Sequence, residues 1–145
     1  MKTIIFSIAL VWAMAEPAWL TDFEQAKSLA KQEQKYILLN FSGSDWCAPC
    51  IKMKKDLFEQ PVFQDYAAQK LVLLQADFPR TKKKQLDPAL KAHNEKLADQ
   101  YNPQGKFPFT LLLDAEGNVL HSWDGYAGSS ADEFLTQMQK AIHGK

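Results

Sequence analysis

Trp46-Cys47-Ala48-Pro49-Cys50 contains both cysteines of a 145-residue chain. Before it stand an apolar run, Tyr36-Ile37-Leu38-Leu39-Asn40-Phe41, and a polar connector, Ser42-Gly43-Ser44-Asp45. After it, Ile51, Met53, Lys54, Leu57 and Phe58 keep a helical period until Pro61. A Cys-x-x-Cys between a strand-like and a helix-like segment has the spacing of a redox dithiol. Half of a zinc site and an inert structural pair share that spacing. A loop this small restricts the unfolded chain little, which argues against a purely stabilising bridge.

Outward from the motif, the apolar run 36–41 has the pattern of a strand covered on both faces. Upstream, Thr21-Asp22-Phe23-Glu24 has the form of a capping box. Phe23, Ala26, Leu29 and Ala30 then recur at helical spacing, so a helix is expected over 22–34. Downstream, Val62, Phe63, Tyr66 and Ala67 suggest another helix, and Leu71-Val72-Leu73-Leu74-Gln75-Ala76 a second buried strand. Residues 78–85 lack apolar periodicity and carry Lys82-Lys83-Lys84, the pattern of a solvated loop. Asp87-Pro88 opens a helix that Asn102-Pro103 stops.

A further strand is expected over 106–113, with Pro108 near its start. Asp114-Ala115-Glu116-Gly117-Asn118 makes a hairpin turn into Val119-Leu120-His121-Ser122-Trp123. Ser129 or Ser130 caps a final helix with Phe134, Leu135, Met138 and Ile142 as its apolar stripe. Helices between the early strands imply parallel pairing, and the late turn an antiparallel hairpin. The class is α/β: a central mixed sheet flanked by helices on both faces.

Seventeen basic and seventeen acidic residues cancel, so net charge gives no reason to expect nucleic acid or an anionic membrane. Lys2, the apolar stretch 3–12 and Ala13-Met14-Ala15 form a signal-peptide pattern over 1–15, with cleavage before Glu16. An uncleaved anchor or a buried helix is the alternative. Export would leave one domain, 16–145, soluble in the periplasm, where disulfides persist.

The chain resembles the thioredoxin family, and its exported branch more than the cytoplasmic one. The resemblance rests on the Trp-Cys-x-Pro-Cys pentad, on Phe107-Pro108 at the head of a strand, and on the 114–117 turn followed by Gly125. It implies the thioredoxin fold, a cis Phe107–Pro108 bond beside the dithiol, and a substrate groove lined by Trp46, Phe107 and Pro108. Local readings of the same residues are a packing tryptophan and an edge-strand proline. A helix start near Cys47 would favour its thiolate, because free N–H groups and the helix dipole lie there. Cys47 is thus the expected nucleophile. Cys50, a turn further in and expected to be more buried, is the resolving thiol. Such exchange needs no cofactor.

Two departures from the family bear on the site. Asn40 falls where thioredoxins carry a buried aspartate, and an amide cannot take a proton from Cys50; Asp45 and Asp77 are the substitute carboxylates. Phe109 follows the proline where threonine is common. Ala48 and Pro49 resemble the pair found in reductases, and without a histidine there the thiolate lacks the extra stabilisation of an oxidase. The expected activity is reduction of protein disulfides by a monomer, with a membrane-bound electron donor implied by the family. The alternatives are an oxidase or isomerase of the same fold, and a copper or zinc carrier recruiting His93, His121 or His143. A groove that binds without turnover is a third.

Overall fold

The computed structural model describes residues 16–144, so the signal-peptide expectation for 1–15 lies outside the described residues. The elements are β1 (Trp19–Leu20), α1 (Phe23–Glu33), β2 (Tyr36–Ser42), α2 (Ala48–Met53), α3 (Pro61–Lys70), β3 (Leu71–Asp77), α4 (Pro88–Tyr101), β4 (Phe109–Leu113), β5 (Val119–Asp124) and α5 (Ala131–His143). They build one five-stranded sheet in the order β1-β3-β2-β4-β5. β2 runs parallel to β3 and antiparallel to β4, and β4–β5 is an antiparallel hairpin. The mixed sheet expected from the connections is the one formed.

Alternation along the strands divides the core into two layers. Ile37, Leu39 and Phe41 of β2 join Val72, Leu74 and Ala76 of β3 under α1 and α4, with Phe23, Ala26 and Leu97. Leu38 of β2 and Leu71 and Leu73 of β3 face the other way, against Met53, Leu57, Phe63, Phe134 and Met138. A strand places successive side chains on opposite faces, so one continuous apolar run supplies both layers. The second layer turns polar towards the C-terminal ends of the strands. There Asn40 and Ser42 follow Leu38, and Gln75 and Asp77 follow Leu73.

Local chemistry sets the element ends. Asp87 Oδ1 accepts from Leu90 N–H at 3.0 Å at the start of α4. Ser130 and Glu133 form a reciprocal capping box at α5. Gly117, at φ +93°, makes the hairpin turn, and its carbonyl accepts from Tyr101 Oη at 2.7 Å. Left-handed backbone of this kind favours glycine.

Four local expectations change. The cap of α1 is Asp22, whose carboxylate accepts from Gln25 N–H at 2.7 Å, not Thr21 one residue earlier. The helix after the dithiol widens into a π-helical turn over Lys54–Phe58, which an apolar period alone does not distinguish from α-helix. The fourth strand begins at Phe109, not residue 106, because the Asn102 side chain holds the Lys106 main chain through two hydrogen bonds, at 2.8 and 2.9 Å. The two-residue β1 is too short to show a period.

Phe63 is fully buried, with the Phe58 and Phe134 rings 5.1 and 6.4 Å away. Phe63→Ala is expected to cost about 3–5 kcal/mol, from lost transfer free energy and the cavity left behind. Urea unfolding measures it, and a cost below about 1 kcal/mol would contradict this packing.

Candidate active site: a dithiol at a helix start

β2 ends at Ser42, and a tight turn follows. The Gly43 carbonyl accepts from Trp46 N–H at 3.2 Å and from Cys47 N–H at 2.9 Å. Cys47 is the N-cap of α2, in extended backbone, and Pro49 occupies the first turn, where its missing N–H costs nothing. Cys47 and Cys50 form a disulfide with Cα atoms 5.2 Å apart. Cys50 N–H points at Cys47 Sγ, 3.3 Å away. Both residues are buried, at 4% and 5% exposure, so the expectation that Cys50 lies deeper does not hold in the disulfide form. What separates them is position: Cys47 caps the helix, while Cys50 lines the cleft beneath it.

That cleft has a volume of about 440 Å³, and its walls include Asn40, Ser42, Ser44, Cys50, Asp77 and Lys84. Asn40 lies on the face of β2 beneath Cys50 and donates to Thr110 Oγ1 at 2.9 Å. Its amide is thus satisfied within the sheet. Asp77 is paired in register with Ser42 on the neighbouring strand, and its carboxylate accepts from Ser44 N–H at 2.9 Å and Ser44 Oγ–H at 2.6 Å. Of the two substitute carboxylates, Asp77 shares a cleft with Cys50. Asp45 is engaged elsewhere, accepting from Arg80 N–H at 3.0 Å and Thr81 N–H at 2.8 Å. The hydrogen bonds from Thr81 and Arg80 lower its pKa from 3.8 to about 2, leaving it a poor proton acceptor.

The Phe107–Pro108 bond is cis. Trp46 and Phe107 meet edge to face, with ring centroids 5.4 Å apart. The rim has a third aromatic that sequence reasoning missed: Phe78, whose ring lies 5.5 Å from that of Phe107. Trp46 Nε1–H donates to the Phe78 carbonyl at 2.7 Å, and Arg80 lies over the indole, 3.7 Å from its centroid. Trp46 therefore belongs to a fixed rim. Phe109 stacks on Phe41 at 6.5 Å, with Lys106 Nζ 5.5 Å from its ring.

The three histidines do not join the cysteines. His93 Nε2 accepts from Phe23 N–H at 3.2 Å, joining α1 to α4, and its Nδ1 meets Asn94 Oδ1 at 3.1 Å within α4, so both nitrogens are engaged. His121 packs on Trp123 in β5, and His143 ends α5. Among the described residues, no three of His, Cys, Asp and Glu converge on one point. The metal-carrier alternative therefore finds no third ligand there.

A dithiol capping the helix that follows the central strand of a mixed sheet, with a cis-proline next to the Phe107 that packs on Trp46, defines a thiol–disulfide exchange protein. The family described as thioredoxin-like matches residues 18–115, and the chain belongs to it. Over 130 residues it is 31% identical to the disulfide bond reductase DsbH of Chlamydia pneumoniae, covering 90% of this chain and 75% of that protein. A solved DsbH oxidoreductase superposes with a TM-score of 0.81 at 26% identity, over 99% of this chain and 96% of that one. The C-terminal domain of Neisseria meningitidis DsbD in its oxidised form shares the fold, with a TM-score of 0.59 at 20% identity, over 86% and 99% of the two chains. The protein is a thiol–disulfide oxidoreductase of the thioredoxin fold.

Two outcomes follow from this geometry. A Cβ at Gly43 would overlap the Trp46 indole. Gly43→Ala is therefore expected to lose about 1–3 kcal/mol in urea unfolding and to slow disulfide exchange, as overpacking displaces the ring. For Asp45, the folded pKa of about 2 lies below 3.8, so its hold on the 80–81 main chain is full above 3.8 and lost as pH falls through about 2. A carboxyl titration by NMR with its midpoint near 3.8 would contradict these hydrogen bonds.

Proposed function

We propose that the protein is an exported reductase of protein disulfides, with Cys47 as attacking thiolate and Cys50 as resolving thiol. The observation that carries the assignment is the Cys50 N–H aimed at Cys47 Sγ across the first turn of α2. A helix start with unpaired N–H groups favours negative charge at the sulfur that caps it. The likeness to a disulfide bond reductase supports the direction, and the signal-peptide pattern supports a periplasmic setting. Among the described residues, no helix is long and apolar enough to cross a membrane.

In the reduced protein, the Cys47 thiolate attacks one sulfur of the substrate disulfide, and the other substrate sulfur leaves as a thiolate that takes up a proton. Cys50 then gives up its proton and attacks Cys47 Sγ. The intramolecular disulfide forms, and the second substrate thiolate is released. Two electrons pass to the substrate, and an external dithiol donor, membrane-bound in this reading, must return them. Trp46, Phe107 and Pro108 form the groove for the substrate's chain. Ala48, Pro49 and Asn40 tune the couple: the first two put no histidine beside the thiolate, and the third puts no carboxylate on β2 beneath Cys50.

Cys50→Ser is expected to accumulate a mixed disulfide through Cys47, seen by non-reducing electrophoresis and mass spectrometry, whereas Cys47→Ser should trap none. The reduction potential fixes the direction. A value near about −270 mV agrees with a reductase, and one near about −120 mV would assign an oxidase instead.

A further inference from the structure

We propose that residues 80–84 form a positively charged docking rim for acidic polypeptide flanking the disulfide that the dithiol exchanges with. The proposal deepens the reductase reading and rests on it. It names the chemistry of the partner: aspartate and glutamate side chains near the target cysteines.

The first observation is charge placement. The chain is neutral overall, yet Arg80, Lys82, Lys83 and Lys84 put four cations in five residues, all exposed. Lys27, Lys31, Lys35, Lys52, Lys54 and Lys106 each lie beside a carboxylate of the chain. Among the described residues, none of the four rim cations does. Lys55, Lys70, Lys91, Lys96 and Lys140 are likewise without one but stand scattered, so what marks the rim is four such cations within five residues. Three carboxylates stand near the rim: Asp45 accepts from the main chain of Arg80 and Thr81 and so places one negative charge at its base, Asp77 is held by Ser44, and Asp87 caps α4. With Arg80 over the Trp46 indole and Asp45 at the base, Lys82, Lys83 and Lys84 keep the rim net positive towards an outside anion.

The second observation is fixity. Phe78 N–H donates to the Ser42 carbonyl at 2.9 Å, which ties the root of the segment to the end of β2. The segment closes on itself as a 3-10 turn over Lys82–Lys84, with Gln85 Nε2–H bonded to the Thr81 carbonyl at 3.1 Å. A freely moving lysine run would pay the ordering entropy on every encounter. Here the main chain that carries the lysines is held beforehand, which lowers the backbone share of the cost of binding.

The third observation is location. Arg80 covers the indole that precedes Cys47, and Phe78 packs against Phe107 beside the cis-proline. Lys84 lines the same cleft as Cys50. A chain held at the dithiol thus passes the rim within side-chain reach. Carboxylates on that chain would form charge-assisted hydrogen bonds there and be steered towards it before contact.

The test uses three disulfide-bonded peptides that differ only in flanking residues, which are Asp/Glu, Ser/Gln or Lys. Turnover by the full mature protein and by its Lys82→Gln/Lys83→Gln variant is measured with dithiothreitol as donor. The wild type is expected to favour the acidic peptide by about tenfold in kcat/KM over the neutral one, a preference lost between about 20 and about 200 mM salt. The variant should lose most of that preference while turning over the neutral peptide at the wild-type rate. Equal rates on all three peptides would overturn the rim and leave the reductase reading intact. Equal loss on acidic and neutral peptides would also overturn it, since the lysines would then act through the fold. No turnover of any peptide would sink the reductase reading and the rim together. Equal peptide rates with lysine-dependent binding to phosphatidylglycerol vesicles would assign the rim to a membrane surface instead.

Discussion

Burial of β2 on both faces is the constraint from which the active end follows. Its side chains alternate between two helical layers, so the strand cannot shift by one residue without exchanging Leu38 and Asn40 for Leu39 and Phe41. That fixed register sets the height of the turn at Gly43, and the turn sets where Cys47 caps α2. The reactive sulfurs thereby stand just beyond the C-terminal end of a strand buried on both faces. Only the last stretch of the inner face is polar, and there the cleft beneath Cys50 opens.

Polar groups at that end are satisfied in a consistent way. Asn40 bonds to Thr110 across the β2–β4 pair, Asp77 to Ser44, and Asp45 to the main chain of residues 80 and 81. Each bond pins one part of the site to another. A buried amide in place of a buried carboxylate removes a charge that would need compensation inside the sheet, and moves the carboxylate nearest the cleft onto β3. The half-buried Asp77 retains access to the cleft that Cys50 lines.

The aromatic rim shows how distant segments were recruited. Trp46 comes from the motif, Phe107 from the loop before β4, and Phe78 from the end of β3. The indole is held by a hydrogen bond beneath a guanidinium, and its close neighbour at Gly43 must lack a side chain. The surface beside the dithiol is therefore a fixed surface of definite shape and charge.

Much of this was legible in the chain itself. Strand periods, the Asp87 cap, the serine cap at 129 or 130, the hairpin turn at Gly117 and a dithiol at a helix start all rest on residues within a few positions of each other, so local chemistry determines them; the expected deeper burial of Cys50 does not hold. The lone cap misplaced, Thr21 for Asp22, is an error of one residue among adjacent acceptors. The helix after the dithiol hid its π-helical turn because apolar spacing does not count hydrogen bonds. Phe78 at the rim, Asp77 in the cleft and Asp45 under the 80–81 main chain stand apart from these, because their partners lie 32 to 36 residues away. No local pattern encodes such pairs; they exist only once β2 and β3 lie side by side. For the same reason Lys82-Lys83-Lys84 has the pattern of a solvated run in the chain, and only the fold brings Lys84 to line the cleft that Cys50 lines. The sequence alone determined a redox dithiol at a helix start; the tertiary structure decided what surrounds it, because parallel strand pairing brings together what the chain holds far apart.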